Sequence, residues 1–169
     1  MAILIYNLPK GLKQSFLKRA VKIVLKGEKT KASSGVKKSL AVVFLGEKEI
    51  KSLNRRYLKK NSSTDVLSFG DDESLSERLG NESLSERLGN EIGYLGEVAI
   101  CLAWVKKNAK EFRQPFEKEL AAVLIHGVLH LLGYEHEKNK DAREKMFRLQ
   151  EKYLFQVKGR WQNQILLPA

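Results

Sequence analysis

The chain predicts an α+β fold: a single domain in which helices pack on one small mixed β-sheet, with a metal site on a central helix and its C-terminal turn. Three observations carry that expectation. Short β-branched runs and helical periodicities interleave along 169 residues without a strict βαβ rhythm. The length and a hydrophobic content of 43% allow one real core without disulfides, and the single cysteine, Cys101, excludes an intrachain one. All three histidines fall in one stretch, His126 to His136.

The elements follow in order. Met1 to Tyr6 has no basic n-region and too short an apolar run for a secretory signal, so it reads as a first strand. Gln14 to Lys26 sets Phe16, Leu17, Ala20, Val21, Ile23 and Val24 among basic residues at helical spacing, which predicts an amphipathic helix. Ser39 to Leu45 is β-branched and apolar, a strand, and Glu47 to Leu58 carries Ile50, Leu53 and Tyr57 at a helical period. Asp65 to Phe69 and Gly96 to Cys101 read as short strands, and Leu102 to Phe112 as a helix. Pro115 suits the first turn of the next helix, which runs to a glycine cap at Gly133. A last helix, Ala142 to Tyr153, precedes a tail whose Trp161 and Ile165 to Leu167 suggest docking.

The longest apolar helix, around Leu120 to Leu132, is interrupted by two histidines and falls short of the ~20 residues that span a bilayer. The expectation is a cytoplasmic protein without a membrane partner. The lone cysteine suits a reducing compartment. Residues 70–92 read as an acidic surface loop with an internal duplication. Glu73 to Asn81 recurs identically as Glu82 to Asn90. Two copies are too few and too short for a solenoid, and added loop length costs closure entropy only logarithmically.

His126 and His130 lie four residues apart on the predicted helix, which puts both imidazoles on one face about 6 Å apart along the axis. Gly133 can take the left-handed conformation that reverses the chain and returns His136 toward the same point. One divalent ion, zinc above all, fits such a set. Three protein ligands are the usual number at catalytic zinc, whereas structural zinc is closed by four. Cys101, Glu135 and Glu137 are the candidates for a fourth ligand. A lone buried thiol is the commoner fate of such a cysteine.

The net charge is +11, with 31 Lys and Arg against 20 Asp and Glu. Residues 10–60 are densely basic, opposed only by Glu28, Glu47 and Glu49, and residues 71–97 are acidic. The bias favours a polyanionic partner, RNA before an anionic membrane surface, and Arg55, Arg56, Lys59 and Lys60 are the candidate RNA-binding residues.

The spacing of His126, His130, Gly133 and His136 coincides with the metzincin pattern, in which a glutamate after the first histidine acts as general base. Here that position is Gly127, so the peptidase reading loses its base. A closer resemblance runs through three blocks: His126-Gly127-Val128-Leu129-His130-Leu131-Leu132-Gly133-Tyr134-Glu135-His136; Leu53-Asn54-Arg55-Arg56-Tyr57 followed by Thr64 to Phe69; and Gly96-Glu97-Val98-Ala99-Ile100. Together they resemble the YbeY family of bacterial metal-dependent endoribonucleases. The resemblance implies a single YbeY-like domain over residues 1–169, with a zinc-type ion held by His126, His130 and His136. It also implies a role in ribosomal RNA processing, notably 3′-end maturation of the small-subunit (16S) RNA, and in ribosome quality control, with the ribosome or small-subunit assembly proteins as partners. Three positions depart from the family. Glu135 and Glu97 stand where it usually has Asp, and Leu58 stands where it usually has an arginine after the tyrosine.

The chemistry is coherent without the resemblance. A three-histidine site can lower the pKa of bound water from 15.7 to about 7 and polarise a phosphoryl oxygen. Attack by the RNA's own 2′-hydroxyl, with the metal as Lewis acid, is the other route. The leading expectation is therefore an endoribonuclease. The alternatives are an RNA-binding ribosome-assembly factor with a structural metal and little cleavage, which Leu58 keeps open, and a metallopeptidase, which Gly127 disfavours.

Overall fold

The computed structural model describes residues 2–28, 37–70 and 92–157. The duplicated segment 73–90 and the tail with Trp161 and Ile165 to Leu167 lie outside the described residues. In order, the elements are β1 (Ala2–Tyr6), α1 (Gln14–Gly27), β2 (Lys37–Phe44), α2 (Glu47–Leu58), β3 (Val66–Phe69), β4 (Ile92–Ile100), α3 (Leu102–Glu111), α4 (Phe116–Leu131) and α5 (Lys140–Val157). The sheet runs β1-β2-β4-β3, with β1, β2 and β4 parallel and β3 antiparallel to β4. That is the small mixed sheet with packed helices expected of the sequence.

Alternation along the strands divides the core into two layers. Ile3, Leu40, Val42, Val98 and Ile100 face Leu17, Val21 and Val24 of α1 and Leu120, Leu124 and Val128 of α4. Val43, Leu67, Phe69 and Ala99 face the other way, against Ile50 and Leu53 of α2. With apolar side chains almost all round, α4 is the central helix, packed by α1, α3, α5 and the sheet.

Two glycines set the approach of these layers. In β4, Ser39 pairs with Tyr94 but Ala41 with Glu97, so β4 carries one extra residue, a bulge at Leu95-Gly96. Gly96 has φ +122° there, and a Cβ on it would lie 1.9 Å from the Phe69 carbonyl oxygen. The strand begins at Ile92, four residues before the position that the sequence suggested, because the bulge interrupts the alternation while the upstream residues still pair with β2. At Gly127, α4 crosses β3 and β4 so closely that a Cβ would lie 2.6 Å from Val98 Cγ1. The Ser68 hydroxyl donates to the Gly127 carbonyl at 3.0 Å. Gly127→Ala is therefore expected to lower stability by about 1–3 kcal/mol through overpacking, read as a lower midpoint of thermal unfolding. An unchanged midpoint would mean that the helix can lift off the sheet without loss.

Candidate metal centre

The glycine cap forms as the sequence suggests, and its geometry brings in the third histidine. Leu132 caps α4, the Gly133 N–H donates to His130 O at 2.9 Å, and the Tyr134 N–H donates to Leu129 O at 3.1 Å. With Gly133 at φ +82°, this is a Schellman closure, which satisfies the last carbonyls of α4 and turns the chain back over it. His136 thus returns to the two helical imidazoles.

The three rings gather around one point. Their centroids are 4.7, 5.1 and 5.2 Å apart, and one nitrogen from each lies within 4.8 Å of the others. His126 Nε2 and His130 Nε2 face each other at 3.1 Å. Two nitrogens bound at 2.0–2.1 Å to one tetrahedral ion would be about 3.3 Å apart, so this pair already has the spacing of two shared ligands. His126 Nδ1 lies 2.8 Å from Gln150 Oε1 on α5. An amide oxygen can only accept, so Nδ1 carries the proton and the Nε2 lone pair is left for the centre.

Burial, followed by the neighbouring imidazoles, depresses His130 to about 4. Burial also lowers His126, partly offset by the bond to Gln150. Both rings are accordingly neutral at neutral pH, the state a metal ligand requires.

A second anchor holds the His136 arm. The Tyr134 hydroxyl donates at 2.6 Å to Oε2 of Glu28, at the end of α1, and the Tyr153 hydroxyl of α5 donates to Glu28 Oε1. Glu28, Tyr134 and Tyr153 are all buried. Burial and the Glu28 carboxylate push Tyr134 up to about 12 and raise Tyr153 as well, so both phenols remain donors. The loop between His130 and His136 is thereby tied to two other helices.

The histidines sit in an open cleft of about 1140 Å³. Its floor is one face of α4, with Glu119, Ala122, Val123, His126 and His130. Glu135 and Glu137 border the cleft, but Cys101 does not. Cys101 is wholly buried in the apolar layer under α2, which removes it from the possible fourth ligands. Of the four basic candidates, Lys60 borders the cleft, 3.8 Å from Glu137 Oε1 in an exposed pair, whereas Arg55, Arg56 and Lys59 lie on α2 and its cap outside the lining. Leu58 borders the cleft and is 53% exposed, so it is not a core residue of its helix. Position 127 faces the sheet, and the metzincin base position therefore does not open on the cleft.

Sequence reasoning missed several groups here. Glu119 precedes His126 by two helical turns and shares its face, a period that was legible. Gln150 and Glu28 meet their partners across long stretches of chain and left no local signal.

Known proteins give the chain its family. The family model described as Endoribonuclease YbeY matches residues 7–158. The chain is 37% identical to the "Endoribonuclease YbeY" of Thermotoga petrophila over 145 residues, which cover 83% of this chain and 85% of that one. It is 32% identical to the protein of the same description from Bdellovibrio bacteriovorus over 155 residues, covering 89% and 91%. The solution structure of TM1509 from Thermotoga maritima superposes with a TM-score of 0.57 at 31% identity, covering 94% of this chain and 91% of that one. On sequence and on fold, the chain belongs to the endoribonuclease YbeY family.

Proposed function

We propose that the protein is a metal-dependent endoribonuclease that cuts single-stranded segments of ribosomal RNA, with 3′-end maturation of the small-subunit (16S) RNA and ribosome quality control as its setting. One divalent ion, zinc before others, is held by His126, His130 and His136. The observation that carries this reading is the gathering of three ring nitrogens on the floor of an open cleft, in a family of endoribonucleases. When bound, such an ion supplies Lewis acidity toward a phosphoryl oxygen and lowers the pKa of water. The chain's own residues do the rest. Gln150 holds the His126 ring with Nε2 inward, and the Tyr134–Glu28 bond holds the His136 arm over α4. The RNA meets a chain of net charge +11 that draws in a polyanion. The ribosome and small-subunit assembly proteins are the proposed partners, in the cytoplasm. Among the described residues, no helix is long and apolar enough to cross a membrane.

The test incubates metal-loaded protein, apoprotein and a His126→Ala variant with ribosomal RNA and, separately, with unfolded protein. Cleavage of RNA by the loaded protein alone is expected. RNA binding without cleavage would favour the assembly-factor reading, and cleavage of the polypeptide would favour a peptidase. A 2′-deoxy substitution at the cut site then separates attack by water, which it leaves intact, from attack by the 2′-hydroxyl, which it abolishes.

Two further outcomes are expected. Replacing Arg55, Arg56, Lys59 and Lys60 with glutamine should weaken RNA binding and flatten its salt dependence, because each lost phosphate contact removes a released counterion. If affinity and slope both stay put, the phosphate-contacting surface lies elsewhere. Tyr134→Phe should weaken metal affinity by about tenfold in a chelator competition, the low end of what groups that orient metal ligands contribute. Tyr153→Phe removes an equivalent bond to Glu28 but lies off the histidine loop, so it should cost thermal stability and leave metal affinity alone. Equal losses of affinity in the two variants would show that the Glu28 cluster supports the fold and does not position His136.

A further inference from the structure

The cleft extends well beyond the histidines. Along the floor provided by α4, Glu119 lies two turns before His126, about 10 Å away, with the small side chains of Ala122 and Val123 between them. That remote end has its own polar structure. Glu119 is 6% exposed, and Gln114 Nε2 donates to its carboxylate. Asp65, which also borders the cleft, accepts from Asn108 Nδ2 at 3.0 Å. Burial first, then the nearby Asp65 charge, raises the pKa of Glu119.

The same cleft is bordered by an aromatic ring that the core does not use. Phe112 is 62% exposed, borders the cleft and belongs to none of the hydrophobic clusters. The next residue, Arg113, has φ +51°, a left-handed conformation that is uncommon outside glycine. It reverses the chain between the outward ring of Phe112 and the inward amide of Gln114. The Arg113 N–H donates to Lys110 O at 3.2 Å and the Gln114 N–H to Ala109 O at 3.0 Å, so this is a Schellman closure of α3 that fixes where Phe112 and Gln114 leave the helix.

A phosphate is the wrong occupant here, because two carboxylates would repel it. A nucleobase is the right one. Its π-face can stack on an exposed phenyl ring, and its N–H groups can meet carboxylate and amide oxygens. Guanine matches best, since N1–H and the N2 amino group present adjacent donors to one carboxylate. The ~10 Å along α4 is also close to the reach from a backbone phosphate to the edge of a neighbouring base.

We propose that the cleft end formed by Phe112, Gln114, Glu119 and Asp65 is a nucleobase subsite, which stacks one unpaired guanine of single-stranded RNA on Phe112 while the adjacent backbone lies at the three histidines. The proposal rests on the endoribonuclease reading and deepens it by naming what selects the segment that is cut.

The test measures binding of the metal-loaded protein to a short oligouridine carrying one guanosine, and to the same strand with an abasic site in place of that guanosine. Phe112→Ala is expected to weaken binding of the guanosine strand by about tenfold, a typical loss for one stacked base. The abasic strand should bind the native protein about as weakly, and combining variant and abasic strand should cost no more than either change alone. Phe155→Ala, which removes an exposed phenyl outside the cleft lining, should change nothing. Glu119→Gln should reduce the preference for guanosine over uridine at that position.

Unaltered binding by Phe112→Ala, additive losses, or a guanosine preference that survives both variants would overturn the subsite while leaving the endoribonuclease reading intact. Failure of the native protein to bind RNA at all would overturn both.

Discussion

His126→Ala combined with His130→Ala is expected to take the bound divalent metal from near one equivalent per chain to below detection, and RNA cleavage with it. Two of the three inward nitrogens disappear, and His136 alone offers one imidazole on a loop. Such a remnant cannot compete with buffer and chelators for a first-row ion. The fold should survive. Neither ring belongs to the hydrophobic core, and alanine is the best helix former at both positions on α4. Elemental analysis of protein purified without a histidine tag reads the metal, and thermal unfolding of the apoproteins reads the fold. Unchanged metal content would remove the three-histidine centre. Cleavage that persists after the metal is gone would remove its role in the reaction.

The second large effect is expected at Leu58. If the arginine usual at this position in the family stabilises charge that develops on the phosphate, this chain is a slow ribonuclease whose metal and RNA binding are otherwise complete. Donors directed at such charge typically contribute ~10²- to 10³-fold in rate, so Leu58→Arg should raise single-turnover cleavage of ribosomal RNA by at least tenfold with little change in affinity. The structure makes the experiment clean. Leu58 is 53% exposed and borders the histidine cleft at the end of α2, while Ile50 and Leu53 hold that helix to the sheet. A guanidinium can stand there without entering the core, and the melting temperature should not fall. Equal rates with an intact fold would mean that a nearby cation, Lys60 on the same cleft wall being the first candidate, already acts there or that the role does not exist.

Most of the fold was legible because its signals are local. The helical periods of Gln14 to Lys26 and Glu47 to Leu58 produced α1 and α2 to within a residue, and Pro115 and Gly133 bracketed α4. The last helix runs past Tyr153 to Val157, because Leu154 and Val157 find buried places that a local period does not reveal. Strand β4 was half seen. The bulge at Gly96 hides the upstream residues from an alternation pattern, although Ile92 to Tyr94 pair with β2, one residue out of step with Glu97 to Ile100.

The sequence by itself determined which three imidazoles converge, because His126 and His130 share a face by helical geometry and Gly133 provides the reversal that brings in His136. It also determined the absence of a metzincin base, since Gly127 has no side chain. Only the tertiary structure decided what surrounds that set. It assigned Gln150 to His126, Glu28 to Tyr134 across 106 residues, Gly127 to the sheet, Cys101 to the core and Leu58 to the cleft. The division has one physical cause. Helix faces and caps depend on residues within a turn or two, whereas burial and hydrogen-bond partners depend on which distant segments the packed layers bring together.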